Sequence, residues 1–199
     1  MQVAGVSAPG SHPALTFLRV GATEIGIACR YKAGPDIRST DEGGHADAIL
    51  PGGVPVGYYA RTRRDRRLAI IAPGMVRDAR ALLNDRPEYM LADEARARRC
   101  PTTFCILEVG RDAAEGFVRA WAEIAARPPR FVAIGGNCAQ VIARALVEVG
   151  AMKRRFPAPG SPDALFRALH RARPDARIAT GFAEFIPEGA GFAIRLEPA

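Results

Sequence analysis

Along the chain, stretches of strand-like apolar content give way to stretches with a period near 3.6, in an order that predicts a mixed fold. Leu15 to Val20 and Glu24 to Arg30 read as strands separated by Gly21-Ala22. A polar, glycine-rich connection from Ala33 to Gly44 leads into His45 to Leu50, a strand that turns at Pro51-Gly52-Gly53 into a partner from Val54 to Ala60. A third apolar run, Leu68 to Ala72, ends at Pro73-Gly74, and the three make a predicted β-meander. Val76 to Arg99 changes to helical spacing through Asp78, Ala79, Ala81, Leu82 and Leu83 and breaks at Arg86-Pro87, which predicts one or two surface helices. Thr103 to Val109 is apolar and partly β-branched, a strand stopped by Gly110.

The second half is more helical. Asp112 is placed to cap a helix from Ala113 to Ala126, with Phe117, Ala120, Trp121 and Ile124 on one face and Pro128-Pro129 at its end. Phe131 to Ile134 reads as a short buried strand, Gly135-Gly136 as a turn, and Cys138 to Val149 as a helix capped by Asn137 and closed by Gly150. Ser161-Pro162-Asp163 starts a further helix to Ala172. Arg177 to Phe185 and Gly191 to Leu196 are two weaker strands around a Pro187-Glu188-Gly189 turn. Residues 1–13 are small and polar and predict a loose lead-in to a single domain over 14–199.

Composition narrows the class. The 199 residues are 48% hydrophobic and 25% charged, ordinary for a globular domain able to bury a core. The net charge of +7 is carried almost wholly by arginine. Its clusters, Arg61 to Arg67, Arg96 to Arg99 and Lys153 to Arg155, are dispersed and lack interleaved aromatic residues, so solvated faces are expected rather than a nucleic-acid site. No segment approaches the roughly 18 apolar residues of a membrane span, and the first residues lack a basic region followed by an apolar one. A cytoplasmic protein, or one exported without a classical signal peptide, is the expectation. Cys29, Cys100, Cys105 and Cys138 have neither CxxC nor zinc-like spacing, and no metal or cofactor is expected.

Candidate chemistry centres on Cys138. A thiol at the first turn of a helix meets unpaired N–H groups and the positive end of the helix dipole, which favour thiolate. A nucleophilic cysteine also needs an imidazole within reach and a polar group to orient it. Of the three histidines, His12 lies in the lead-in and His170 on a charged amphipathic helix, which leaves His45. Residues two apart on a strand share a face, so Asp47 is placed to point with His45. The other three cysteines read as small buried hydrophobes.

Gly44-His45-Ala46 opening a strand, Gly57-Tyr58-Tyr59 on the next, then strand, helix and an Asn137-Cys138 helix start resemble the circularly permuted papain-like families. These include permuted relatives of the NlpC-type peptidases and the lecithin:retinol acyltransferase-like thiol enzymes, and the resemblance spans roughly Gly43 to Pro162. It implies an α+β domain, an antiparallel β-sheet with packed helices, in which Cys138 is the nucleophile and His45 the base. The third group falls about a dozen residues after the histidine in that family, where this chain offers Gly57, Tyr58 and Tyr59; Asp47 and Tyr58 are the two candidates. Backbone N–H at the helix start would meet the oxyanion, with Asn137 or Gln140 assisting, although Asn137 also has a plain role as helix cap. The implied activity is that of a cysteine hydrolase acting through a thioester on an amide of a peptide or peptidoglycan-like substrate, as in bacterial cell-wall turnover or delivered effectors. A lipid esterase or acyltransferase of the same fold is one alternative, and a non-catalytic partner-binding module is the other.

Overall fold

A computed structural model describes residues 16–40, 44–61, 71–133, 135–154 and 157–199. The lead-in 1–13 and most of the Arg61 to Arg67 cluster lie outside them, as do residues 68–70 of the predicted third meander strand. Among the described residues nine strands form one antiparallel sheet in the order β1-β9-β8-β6-β2-β3-β4-β5-β7. They are β1 (Thr16–Leu18), β2 (Glu24–Arg30), β3 (His45–Leu50), β4 (Val54–Ala60), β5 (Ile71–Arg77), β6 (Thr102–Glu108), β7 (Arg130–Val132), β8 (Arg177–Glu188) and β9 (Gly191–Glu197). Five α-helices accompany them among the described residues: α1 (Ala79–Asp85), α2 (Ala92–Ala97), α3 (Arg111–Ala126), α4 (Cys138–Glu148) and α5 (Pro162–Ala172). The fold is α+β, with β2 and β3 at the centre of the sheet.

Strand alternation splits the core in two. Ile25, Ile27, Cys29, Ala46, Ala48, Val56 and Tyr58 face one side and bury against α3, α4 and α5 through Phe117, Trp121, Ile142, Leu146, Leu165 and Leu169. Ala28, Ile49 and Tyr59 face the other side, with Leu82, Tyr89, Met90, Phe104 and Phe185. The two helices flanking the sheet centre are sharply capped. The Asn137 side chain accepts from Gln140 N–H at 3.2 Å while Gln140 Oε1 accepts from Asn137 N–H at 3.3 Å, a capping box that starts α4 at Cys138. Ser161 Oγ accepts from Ala164 N–H at 3.2 Å and starts α5 with Pro162 in its first turn.

Several boundaries differ from the sequence expectation. β5 does not stop at Pro73-Gly74 but runs through them, pairing with β7 over Ile71–Pro73 and with β4 over Gly74–Arg77. The proline stands where the strand changes partners. β7 is a three-residue edge strand, exposed or half-buried, rather than a buried one. Asp112 sits inside the first turn of α3, and Gly110 takes the cap position with φ +82°, a conformation glycine adopts without strain. No described helix is long and apolar enough to cross a membrane.

Candidate active site

The β2–β3 connection returns to the sheet at Gly44, whose φ of +56° turns the chain directly into His45. On the β4 side, the β3–β4 ladder begins only at Asp47↔Gly57, so His45 and Ala46 stand beyond it without a partner. On the β2 side they remain paired, as Arg30↔His45 and Cys29↔Ala46. The N-terminus of α4 fills the opening between β3 and β4. There the Cys138 sulfur meets the His45 ring and accepts from the Ala46 N–H. The nucleophile candidate thus comes from the helix-bearing face and the imidazole from the other, and they meet where the sheet parts.

The imidazole is fixed on both its edge and its faces. His45 Nε2 donates to Asp47 Oδ1 at 2.9 Å, which leaves Nδ1 as the nitrogen for Cys138. The ring stacks on Tyr59 at 4.3 Å between centroids and lies nearly parallel to Tyr89 at 5.8 Å. Asp47 is itself held by three donors. Besides His45, Arg30 Nε donates to Oδ2 at 2.8 Å and the Tyr59 hydroxyl to Oδ1 at 3.1 Å. Arg30 is fully buried, and its Nη1 donates to Tyr89 O at 3.1 Å and to Thr102 Oγ1 at 3.3 Å, while its Nη2 has no hydrogen-bond partner and its plane covers the Tyr89 ring at 4.7 Å. Gly57 lies directly opposite Asp47, where a Cβ would come within 2.3 Å of Oδ1 and 2.5 Å of the Tyr59 ring. The missing side chain on β4 is the space the Asp47 carboxylate occupies.

These contacts set the charges. Burial works against a charged His45, but the adjacent Cys138 thiolate and the Asp47 carboxylate outweigh it and hold its pKa at about 9. Burial also raises the Cys138 thiol, yet the charge and hydrogen bond of His45 and the Ala46 N–H bring it below its ordinary value. Burial would protonate Asp47, and Arg30, followed by His45, keeps its carboxyl well below the usual range. Burial, reinforced by Asp47, pushes Tyr59 well up, so it remains a donor. Thiolate and imidazolium thus stabilise each other, each shifting the other's pKa toward the charged form. Burial drives the other thiols the opposite way, with Cys29 far above the thiol range, Cys100 raised and Cys105 pushed up to about 12.

The structure thus brings Cys138, His45 and Asp47 together, and adds Arg30, Tyr59 and Tyr89. Tyr58 does not join them: one residue out of step with Tyr59, it points to the helix-bearing face, donates to Pro129 O at 2.8 Å and stacks near Phe131. Asn137 and Gln140 close the capping box on each other, and Asn137 Nδ2 donates to Ala133 O and Gly160 O at 3.1 and 2.8 Å. Asn137 is spent on structure. The donors left at this end of α4 are backbone N–H groups, since Cys138 and Ala139 lie in the first turn, where no intrahelical acceptor exists.

One signal for the missed residues was present: Arg30 follows the buried run Ile25 to Cys29 on a central strand, where an unpaired charge is not tolerated, whereas the place of Tyr59 beside Asp47 follows only from the β3–β4 register. A cavity of about 670 Å³ runs along the flank of α4 that carries Gln140, Ala143, Arg144 and Val147, and Gly135 and Gly136 ahead of the helix also line it. Among the described residues no group of three or more His, Cys, Asp and Glu is arranged to hold a metal ion, and the four cysteines are free.

Comparison with protein-family models, curated proteins and solved structures returns no match. The reading of the site rests on its own geometry.

Proposed function

We propose that this chain is a cysteine hydrolase of circularly permuted papain-like fold, cleaving an amide bond in a peptide or peptidoglycan-like substrate through a thioester. The observation that carries the reading is the His45 ring, with Nε2 on a buried carboxylate at 2.9 Å and its other nitrogen toward a thiol at a helix N-terminus. Cys138 Sγ attacks the carbonyl carbon, forming the C–S bond as the π pair moves to oxygen. That oxyanion is met by the N–H groups at the start of α4. As the tetrahedral adduct collapses, the C–N bond breaks and the amine leaves with the proton from His45 Nδ1. Water then attacks the thioester carbonyl, gives a proton to His45, and releases the acid and the Cys138 thiolate.

An amide, rather than an ester, suits this geometry. An amine leaves only when protonated, and the Asp47 carboxylate on Nε2 favours the imidazolium that supplies the proton.

The test is thiol labelling with mass-spectrometric readout, in wild type and in His45→Ala. Cys138 is expected to react with iodoacetamide at neutral pH at least roughly tenfold faster than Cys29, Cys100 or Cys105, and to lose that advantage in His45→Ala. Peptidoglycan-derived peptides should then release free amine with wild type and not with Cys138→Ala. Equal labelling of all cysteines, or a Cys138 rate indifferent to His45, overturns the proposal.

A further inference from the structure

We propose a second site, a pocket for a phosphate dianion between the β2–β3 connection and α5, built by Lys32, Arg38, Arg167 and Arg171. The pocket holds about 260 Å³, room for a phosphorylated small molecule or headgroup, and His170 also lines it. Its charge is one-sided. Three arginines face it against the single carboxylate of Asp36, while Lys32 is balanced by Asp163 at 3.1 Å. The surplus of positive charge matches a doubly charged anion.

Arg167 and Arg171 lie on successive turns of one face of α5, an i,i+4 spacing at which like charges repel. Arg167 also stands four residues after Asp163, whose carboxyl it helps to hold down, the spacing that pairs Arg119 with Glu115 on α3 and Arg98 with Glu94 at the end of α2; Arg171 has no acidic residue at that spacing on its helix. Among the described residues no carboxylate forms an ion pair with Arg38, Arg167 or Arg171. An anion between them converts a repulsion into forked, charge-assisted hydrogen bonds.

The pocket has a buried floor of Lys32 and Phe166 and an exposed rim that carries Arg38, Arg167 and Arg171. Lys32 is 1% exposed, and its ammonium is anchored by Ile37 O and Asp163, with the Phe166 ring 4.9 Å away. Asp163 Oδ2 also accepts from Ser39 N–H at 3.0 Å, clamping the connection that carries Arg38 onto the start of α5. Just before that start, Gly160 O accepts from Asn137, the cap of the Cys138 helix. The pocket therefore borders the candidate active site through one short segment, yet none of its cations belongs to the thiol–imidazole assembly.

The test is titration of the full chain at low ionic strength with inorganic phosphate by calorimetry, and sedimentation with phosphatidylcholine vesicles with and without phosphatidic acid. Saturable one-to-one phosphate binding is expected, weakened roughly tenfold or more in the double variant Arg167→Gln/Arg171→Gln and unchanged in Arg119→Gln. Vesicle binding that requires phosphatidic acid and those two arginines, without binding of free phosphate, supports the site and identifies a headgroup as its source. Binding to neither probe, or binding that the double variant leaves intact, overturns it. The readout is independent of turnover, and Cys138→Ser is expected to bind as wild type does, so this proposal and the hydrolase reading stand or fall separately.

Discussion

On one face of β3, Ala46 and Ala48 lie under α4 in a core of Ile27, Val56, Ile142 and Leu146; on the other, one residue out of step, His45 and Asp47 lie among Arg30, Tyr59 and Tyr89. The first face follows ordinary folding energetics, with each fully buried aliphatic side chain contributing about 1.5–3 kcal/mol. The second does not. A fully buried arginine–aspartate pair returns about what its desolvation costs, and apolar side chains of similar shape would often be as stable. What the polar face supplies is a fixed imidazole with a negative partner, beside the one thiol whose pKa is lowered. The difference points to function, because stability alone gives no reason to bury these charges.

The comparison is broken most severely by Arg30→Met. Removing the guanidinium leaves Asp47 buried without its strongest partner and is expected to destabilise the fold by about 3–5 kcal/mol in urea unfolding. Arg30→Met combined with Asp47→Leu should recover much of that loss while leaving Cys138 unreactive. Recovery of both would contradict a functional origin for the polar face.

Next in size is the pH response of Asp47→Asn. In wild type the folded His45 pKa of about 9 exceeds its ordinary 6.5, so the stability it contributes is fully present below pH 6.5 and lost as pH rises through about 9. Amide cleavage that uses the imidazolium should fall over the same range. Losing the carboxylate lowers the pKa, so the alkaline limb moves toward 6.5; an unmoved limb would remove Asp47 from the assembly.

Gly57→Ala sharpens the comparison more gently. The added methyl meets Asp47 Oδ1 and the Tyr59 ring, and the overpacking is expected to cost about 1–3 kcal/mol and slow Cys138 alkylation. The smallest effect is expected from Asn137→Ala, about 1 kcal/mol from the lost helix cap, with alkylation of Cys138 largely retained. A loss of turnover far beyond that of stability would return Asn137 to an oxyanion role.

The parts of this picture legible from sequence are those written locally. Asn137, Gln140 and Gly150 mark both ends of α4, and the period of two along β3 puts Asp47 beside His45. The choice between Tyr58 and Tyr59 depended on the β3–β4 register, set by a turn at Pro51–Gly53 whose two glycines at positive φ are not readable as a register. Arg30 and Tyr89 reach the site from separate strand and turn positions, and only the pairing of β2 with β3 and the packing of the segment before α2 bring them there. Of the two candidates for the orienting group, Asp47 stands on the histidine's own strand against its ring, in the room left by Gly57, and Tyr58 turns away to Pro129.

The central claim is that His45 holds Cys138 as a thiolate. Its direct measurement is the ultraviolet thiolate absorbance of Cys138 as a function of pH, taken as the difference between each protein and its Cys138→Ser counterpart, in wild type and in His45→Ala. Wild type is expected to titrate below the ordinary thiol value of 9.0, and His45→Ala to titrate at or above 9.0. A single titration at or above 9.0 in both proteins would contradict the account.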